Sequence, residues 1–251
     1  MNPLPRHYMP ASIRAEQRAD YDWDEWNANA YFRYTTAARF ERLNRLTNKA
    51  SLGLTIATLE WVVASLSSLT DVSIECRFLT AAWAGAVHHR YLNYTEFDPD
   101  EWSSPERGPL YLSLLILNDA VHELRSDPRI ATRACWAYNL ATHVLPEQEA
   151  FLAWWEACVQ GLEQSHLEAE ELAGAPRPDI FDDFPLQGLP LPPPVFDPIN
   201  PTEVLPVAQI PARWDDFLRR LDPGTNEFLA APKDLEDVDF LPGPPYRFEA
   251  R

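Results

Sequence analysis

Apolar side chains return every three to four positions through much of the chain. From Ala37 onward, Phe40, Leu43, Leu46 or Thr47, Ala50 and Leu54 recur at the spacing of one helical face. The pattern predicts a helix whose other sides carry Arg39, Arg42, Arg45 and Lys49. Leu52 to Leu69 then becomes apolar on every side, with Glu60 as its one formal charge. That stretch lies near the lower limit for spanning a bilayer. Its serines and threonines, the mid-span Glu60 and the lack of an aromatic belt predict a central buried helix instead.

Asp71 is placed to cap a following helix over Val72 to Leu92, with Phe78, Leu79, Ala82, Ala86 and Val87 along it. Asp98-Pro99 and Ser104-Pro105, each with acidic residues just after, read as helix-start chemistry closing a loop. Leu110 to Leu124 is almost continuously apolar. Asp127-Pro128 restarts a helix through about Thr142, and Pro146 opens the last long one, from about Glu147 to Ala173. Phe151, Trp155, Cys158, Leu162 and Ala169 line one side of that helix, and Gly174 suits its end. Six major helices are thus expected within 30–173.

The flanks read differently. Residues 1–29 form an acidic and aromatic entry segment, Asp20-Tyr21-Asp22-Trp23-Asp24-Glu25-Trp26, without a clean period. After Gly174, 16 of the 24 prolines fall within 174–251, so regular structure is interrupted there. Leu189, Leu191, Val195 and Phe196 interleave with those prolines, more apolar content than a solvated linker needs. An extended strap packed on the bundle is predicted. Trp214, Phe217, Leu218 and Leu221 then mark a short amphipathic helix near 212–221. The expected fold class is all-α: an irregular bundle of about six helices with a proline-rich C-terminal strap.

Composition narrows the partners. With 38 acidic and 21 basic residues the formal charge is −17, a field that repels nucleic acid and anionic membrane and steers basic proteins inward. Cys76, Cys135 and Cys158 lie far apart without a CxxC pair and read as reduced core residues. Prolines near the N-terminus stand where a secretory leader needs an apolar run, so a cytoplasmic location is expected.

No phosphate-cradling glycine loop, dinucleotide fingerprint, GxSxG elbow or HExxH motif occurs, and no cofactor is expected. The best enzymatic constellation is metal-like. Glu163-x-x-His166 and Asp119-x-x-His122, joined by Glu60 and Glu75, resemble the carboxylate and histidine pattern of a di-iron helical bundle. That resemblance implies a metal-dependent enzyme as the alternative function. For Glu60 the default expectation is an internal arginine, because a charge in an apolar helix needs a partner.

A more suggestive feature is the absence of Lys and Arg from Ala134 through Pro176, where Glu147, Glu149, Glu156, Glu163, Glu168, Glu170 and Glu171 accumulate. Acids crowding a helix C-terminus are unfavourable by about 0.3–1 kcal/mol each. Two accounts follow: pairing with the basic helix of Arg39, Arg42, Arg45 and Lys49, or reception of a foreign cationic surface. The expected function is stoichiometric binding of a basic protein, in the manner of an immunity or antitoxin-type inhibitor, with an acidic chaperone or adaptor as a further alternative. The expected partner-binding residues are Tyr21, Trp23, Trp26, Glu156, Glu163, Glu168, Glu170 and Glu171.

Overall fold

A computed structural model describes residues 19–98, 103–125, 130–167, 188–198, 206–235 and 246–248. Among them are helices α1 (Asn29–Phe32), α2 (Ala37–Leu43), α3 (Asn48–Leu66), α4 (Ser73–Val87) and α5 (Gly108–His122). They are followed by α6 (Ile130–Val144), α7 (Glu149–Ser165), α8 (Ile210–Leu218) and α9 (Pro232–Leu235). The described residues contain no β-strand, only two isolated bridges, Leu46 with Leu167 and Leu92 with Leu229. The fold is all-α.

α3 is the axis. A helix apolar on all sides has no face to offer water and must be surrounded, and α4, α5, α6 and α7 all pack on it. Although α3 is long and apolar enough to cross a membrane, most of it lies inside the protein. Its hydroxyls are satisfied locally where they can be: Thr55 Oγ1 donates to the Ser51 carbonyl at 2.8 Å. The buried face of α7 supplies Phe151, Trp154, Trp155, Cys158, Val159 and Leu162. Trp61 of α3 meets Phe151 and Trp154 there, with ring centroids 5.6 and 5.2 Å apart. All three cysteines are buried and form no disulfide, and burial pushes the Cys135 thiol up to about 11 and Cys158 higher still.

The predicted continuous helix from Ala37 through Leu54 is broken. α2 stops at Leu43 and α3 starts at Asn48, with Thr47 extended between them. The cause is a distant stretch of chain: Leu46 bridges Leu167, and the Thr47 N–H donates to the His166 carbonyl at 2.9 Å. Gly188 closes the same corner from the strap. Its φ is +75°, and a Cβ there would sit 2.4 Å from Thr47 Cβ, so a side chain is excluded by both conformation and space.

The helix predicted over Val72 to Leu92 ends earlier as well, at Val87. A 3₁₀ turn, His89–Tyr91, releases the chain into the Leu92–Leu229 bridge. Asp71 does act at its start, accepting from the Ser73 N–H at 3.1 Å and the Ser73 hydroxyl at 2.9 Å.

The described part of the strap, 188–198, is held by two indoles, one from α7 of the bundle and one from the short helix α8. Trp154 Nε1 donates to the Phe196 carbonyl at 3.1 Å, and Trp214 Nε1 to the Pro190 carbonyl at 2.9 Å. Proline leaves a chain short of N–H donors but not of carbonyl acceptors, so such a stretch docks by accepting. Further on, Ala230 N–H donates to the Tyr91 carbonyl and Asn93 N–H to that of Phe228. Tyr246 O–H reaches the Ala230 carbonyl from the C-terminal stretch.

Candidate functional sites

The entry segment alternates like an extended strand, and the two sets of side chains have opposite fates. Tyr21 and Trp23 turn toward the body. Tyr21 O–H donates to the Pro105 carbonyl at 2.6 Å, and burial pushes its proton affinity well above the ordinary phenol value. Trp23 lies so close over Gly108 that a Cβ would come within 2.1 Å of its ring. It stacks on Tyr31, and Tyr31 on His143, with centroids 5.5 and 4.3 Å apart. His143 Nε2 completes the support by donating to the Asp22 carbonyl at 2.7 Å.

Asp22, Asp24 and Glu25 stay exposed. Asp24 Oδ1 accepts from the Trp26 N–H at 3.0 Å and caps a 3₁₀ turn, Glu25–Asn27. Trp26 projects from that turn with 91% of its surface exposed. Of the three aromatics expected to meet a partner, two anchor the segment internally and one is presented outward.

The acidic helix α7 is tied into the fold through Arg42 of α2. Its guanidinium makes a two-bond fork to Glu156 at 2.8 Å and a second to Glu163 at 2.8 and 2.9 Å. The two glutamates are seven residues apart and share one side of the helix. Hydrogen bonds from Arg42 hold the Glu156 carboxyl below the usual range, and the two carboxylates raise the affinity of Arg42 for its proton. Arg39 does not join them: it bonds Asn139 Oδ1 at 2.9 Å and lies 3.7 Å from the Tyr138 ring centroid. Glu168, Glu170 and Glu171 lie outside the described residues.

The six residues of the metal reading are not brought together, and among the described residues no group of three or more His, Cys, Asp or Glu is arranged to hold an ion. Each carboxylate is used elsewhere. Glu75, fully buried, has its Oε1 3.0 Å from Arg107 Nη2. Asp119 lies 3.8 Å from Arg133, which also meets Glu123. Glu163 serves Arg42. His122 packs edge-on to Tyr94, and His166 gives its backbone carbonyl to Thr47; burial lowers the proton affinity of both imidazoles.

Among the described residues, Glu60 meets no arginine. Trp83 Nε1 of α4 donates to its Oε1 at 2.8 Å, and burial in apolar surroundings, opposed by that bond, pushes the carboxyl up to about 7. The buried glutamate that does face an arginine is Glu75. Sequence reasoning missed Trp83, Gly108 and His143. Their signal is relational: each acts on a residue of another element, and no local spacing records such a meeting.

The chain thus belongs, by fold, to the all-α helical proteins. Comparison with protein-family models, curated proteins and solved structures finds no match to it.

Proposed function

We propose that this chain is a cytoplasmic, stoichiometric binder of a basic protein, acting as an inhibitor of the immunity or antitoxin type. The observation that carries the reading is Trp26, 91% exposed beside the exposed acids Asp22, Asp24 and Glu25, on a segment pinned by Tyr21 and Trp23. Trp is a frequent interface anchor, and its face attracts Arg and Lys while flanking carboxylates neutralise them. Because the segment is already fastened, binding forfeits little ordering entropy at that point.

Charge supports the same partner. Arg42, Arg77, Arg107, Arg133 and Arg220 are committed to carboxylates of the chain itself. Internal pairing leaves the total at −17, so the surface field favours a cationic partner. Occluding a cationic cleft needs complementary shape and charge and no chemistry.

The test is a tagged capture from the native host at low salt, with mass spectrometry and metal analysis of the same sample. One basic protein recovered near one-to-one is the expected result. Trp26→Ala should then weaken its affinity by about tenfold or more. Asp22→Lys with Glu25→Lys should slow association, leaving the helical circular dichroism unchanged. Protein recovered alone with stoichiometric metal would overturn the proposal.

A further inference from the structure

Glu60 and Gly53 stand seven residues apart on α3, two turns along one face. That face is where the strap arrives. A Cβ on Gly53 would come within 2.8 Å of the Phe196 ring, so glycine permits the ring to rest against the helix backbone. Beside it lies Trp83, its ring centroid 5.8 Å from that of Phe196. Trp83 in turn is fixed at its far edge by the Glu60 carboxylate. The carbonyl of Phe196 is held from the other side by Trp154 of α7. Glu60, Trp83 and Phe196 therefore form a chain of contacts linking one carboxyl to the seating of the strap.

We propose that Glu60 is a proton-operated latch: ionised, its carboxylate tightens the bond from the Trp83 indole and draws water toward itself, and neutral, it relaxes that bond, so the seat of Phe196 shifts with the proton. A carboxylate sheltered by apolar side chains and one neutral N–H is poorly solvated in its charged form, whereas the neutral acid needs no more than the bond it has. Glu60 keeps a partial opening to the surface, so water has a route to it. Neighbouring charges do not hold it. On α3, Lys49 reaches the Val87 carbonyl. On α4, Glu75 and Arg77 face Arg107 and Glu227. On α5 and α6, Asp119 and Arg133 face each other, and Glu156 and Glu163 of α7 serve Arg42. Among the described residues, burial and the Trp83 bond alone set its affinity for a proton.

The test places 4-fluorophenylalanine at position 196 of the full chain and follows its ¹⁹F resonance from pH 5 to 9. The expected result is one titration with a midpoint near 7, absent in Glu60→Gln, whose amide oxygen still accepts from the indole. Trp83→Phe keeps a ring under Phe196 but removes the donor that favours the ionised form, and should raise the midpoint by about one pH unit. A resonance that does not move with pH, or one that titrates alike in Glu60→Gln, would overturn the latch. If Glu60→Gln does not fold, an unmoved midpoint in Trp83→Phe overturns it alone.

Discussion

Glu60 and Glu75 lie one helix apart and represent two solutions to the same problem. Glu75 is fully buried and meets Arg107, which opposes the upward push of burial on its carboxyl. Among the described residues Glu60 meets an indole, and burial holds its proton to about 7, against an ordinary 4.5. The sign of the consequence follows. Below 4.5 both folded and unfolded chains hold the proton. Between 4.5 and 7 the unfolded chain loses it and the folded one retains it, so stability falls as pH rises, levelling above 7 after a loss of about 3 kcal/mol. Urea unfolding at pH 4 and pH 8 should show Glu60→Gln more stable than the parent at pH 8 and nearly equal at pH 4. In Glu75→Gln the pH dependence should flatten as well, because burial raises the Glu75 carboxyl despite Arg107, and Arg107 keeps its bond to the Asp71 carbonyl. Equal pH dependence in parent and Glu60→Gln would refute the assignment.

At the scale of elements, the helices were legible wherever an apolar face repeats along one segment. Leu110 to Leu124 gave α5 nearly to its ends and Trp214 to Leu221 gave α8, whereas α7, expected through Ala173, stops at Ser165, where His166 leaves the helical region and Leu167 pairs with Leu46. The break between α2 and α3 was illegible, because Leu43, Leu46 and Ala50 are all buried and keep helical spacing across it. What bends the chain is His166 and Leu167 arriving from the end of α7, a contact with no trace in the local pattern. The inward turn of Tyr21 and Trp23 was hidden for a similar reason: their receptors are Gly108, Tyr31 and His143. Half the site was readable all the same, since the pairing of a basic helix with the acidic α7 was one of two accounts the charges allowed, and Arg42 realises it with Glu156 and Glu163. Arg42→Met should cost about 1–2 kcal/mol, since each partly exposed pair contributes little but one cation serves two carboxylates. A double-mutant cycle with Glu163→Gln, read by thermal unfolding at low and high salt, should give a positive coupling that shrinks with salt. Zero coupling at low salt would reduce the fork to a surface contact.

For the molecule as a whole, the charge outlasts its internal uses. Each pairing of Arg42, Arg77 or Arg133 consumes an acid and a base together and so leaves the balance at −17. A field of that size acts beyond contact distance, but only to about 10 Å at 0.1 M salt. It governs how often a basic partner arrives, whereas Trp26 acts at contact and governs how long it stays. The two contributions are therefore separable in kinetics. With the captured partner in a surface-binding assay, raising sodium chloride from 50 to 500 mM should cut the association rate constant tenfold or more and change dissociation much less. Trp26→Ala should do the opposite, speeding dissociation at every salt concentration while leaving the salt slope of association intact. An association rate indifferent to salt would remove the electrostatic half of the proposal, and a Trp26→Ala variant with unchanged dissociation would remove the other half.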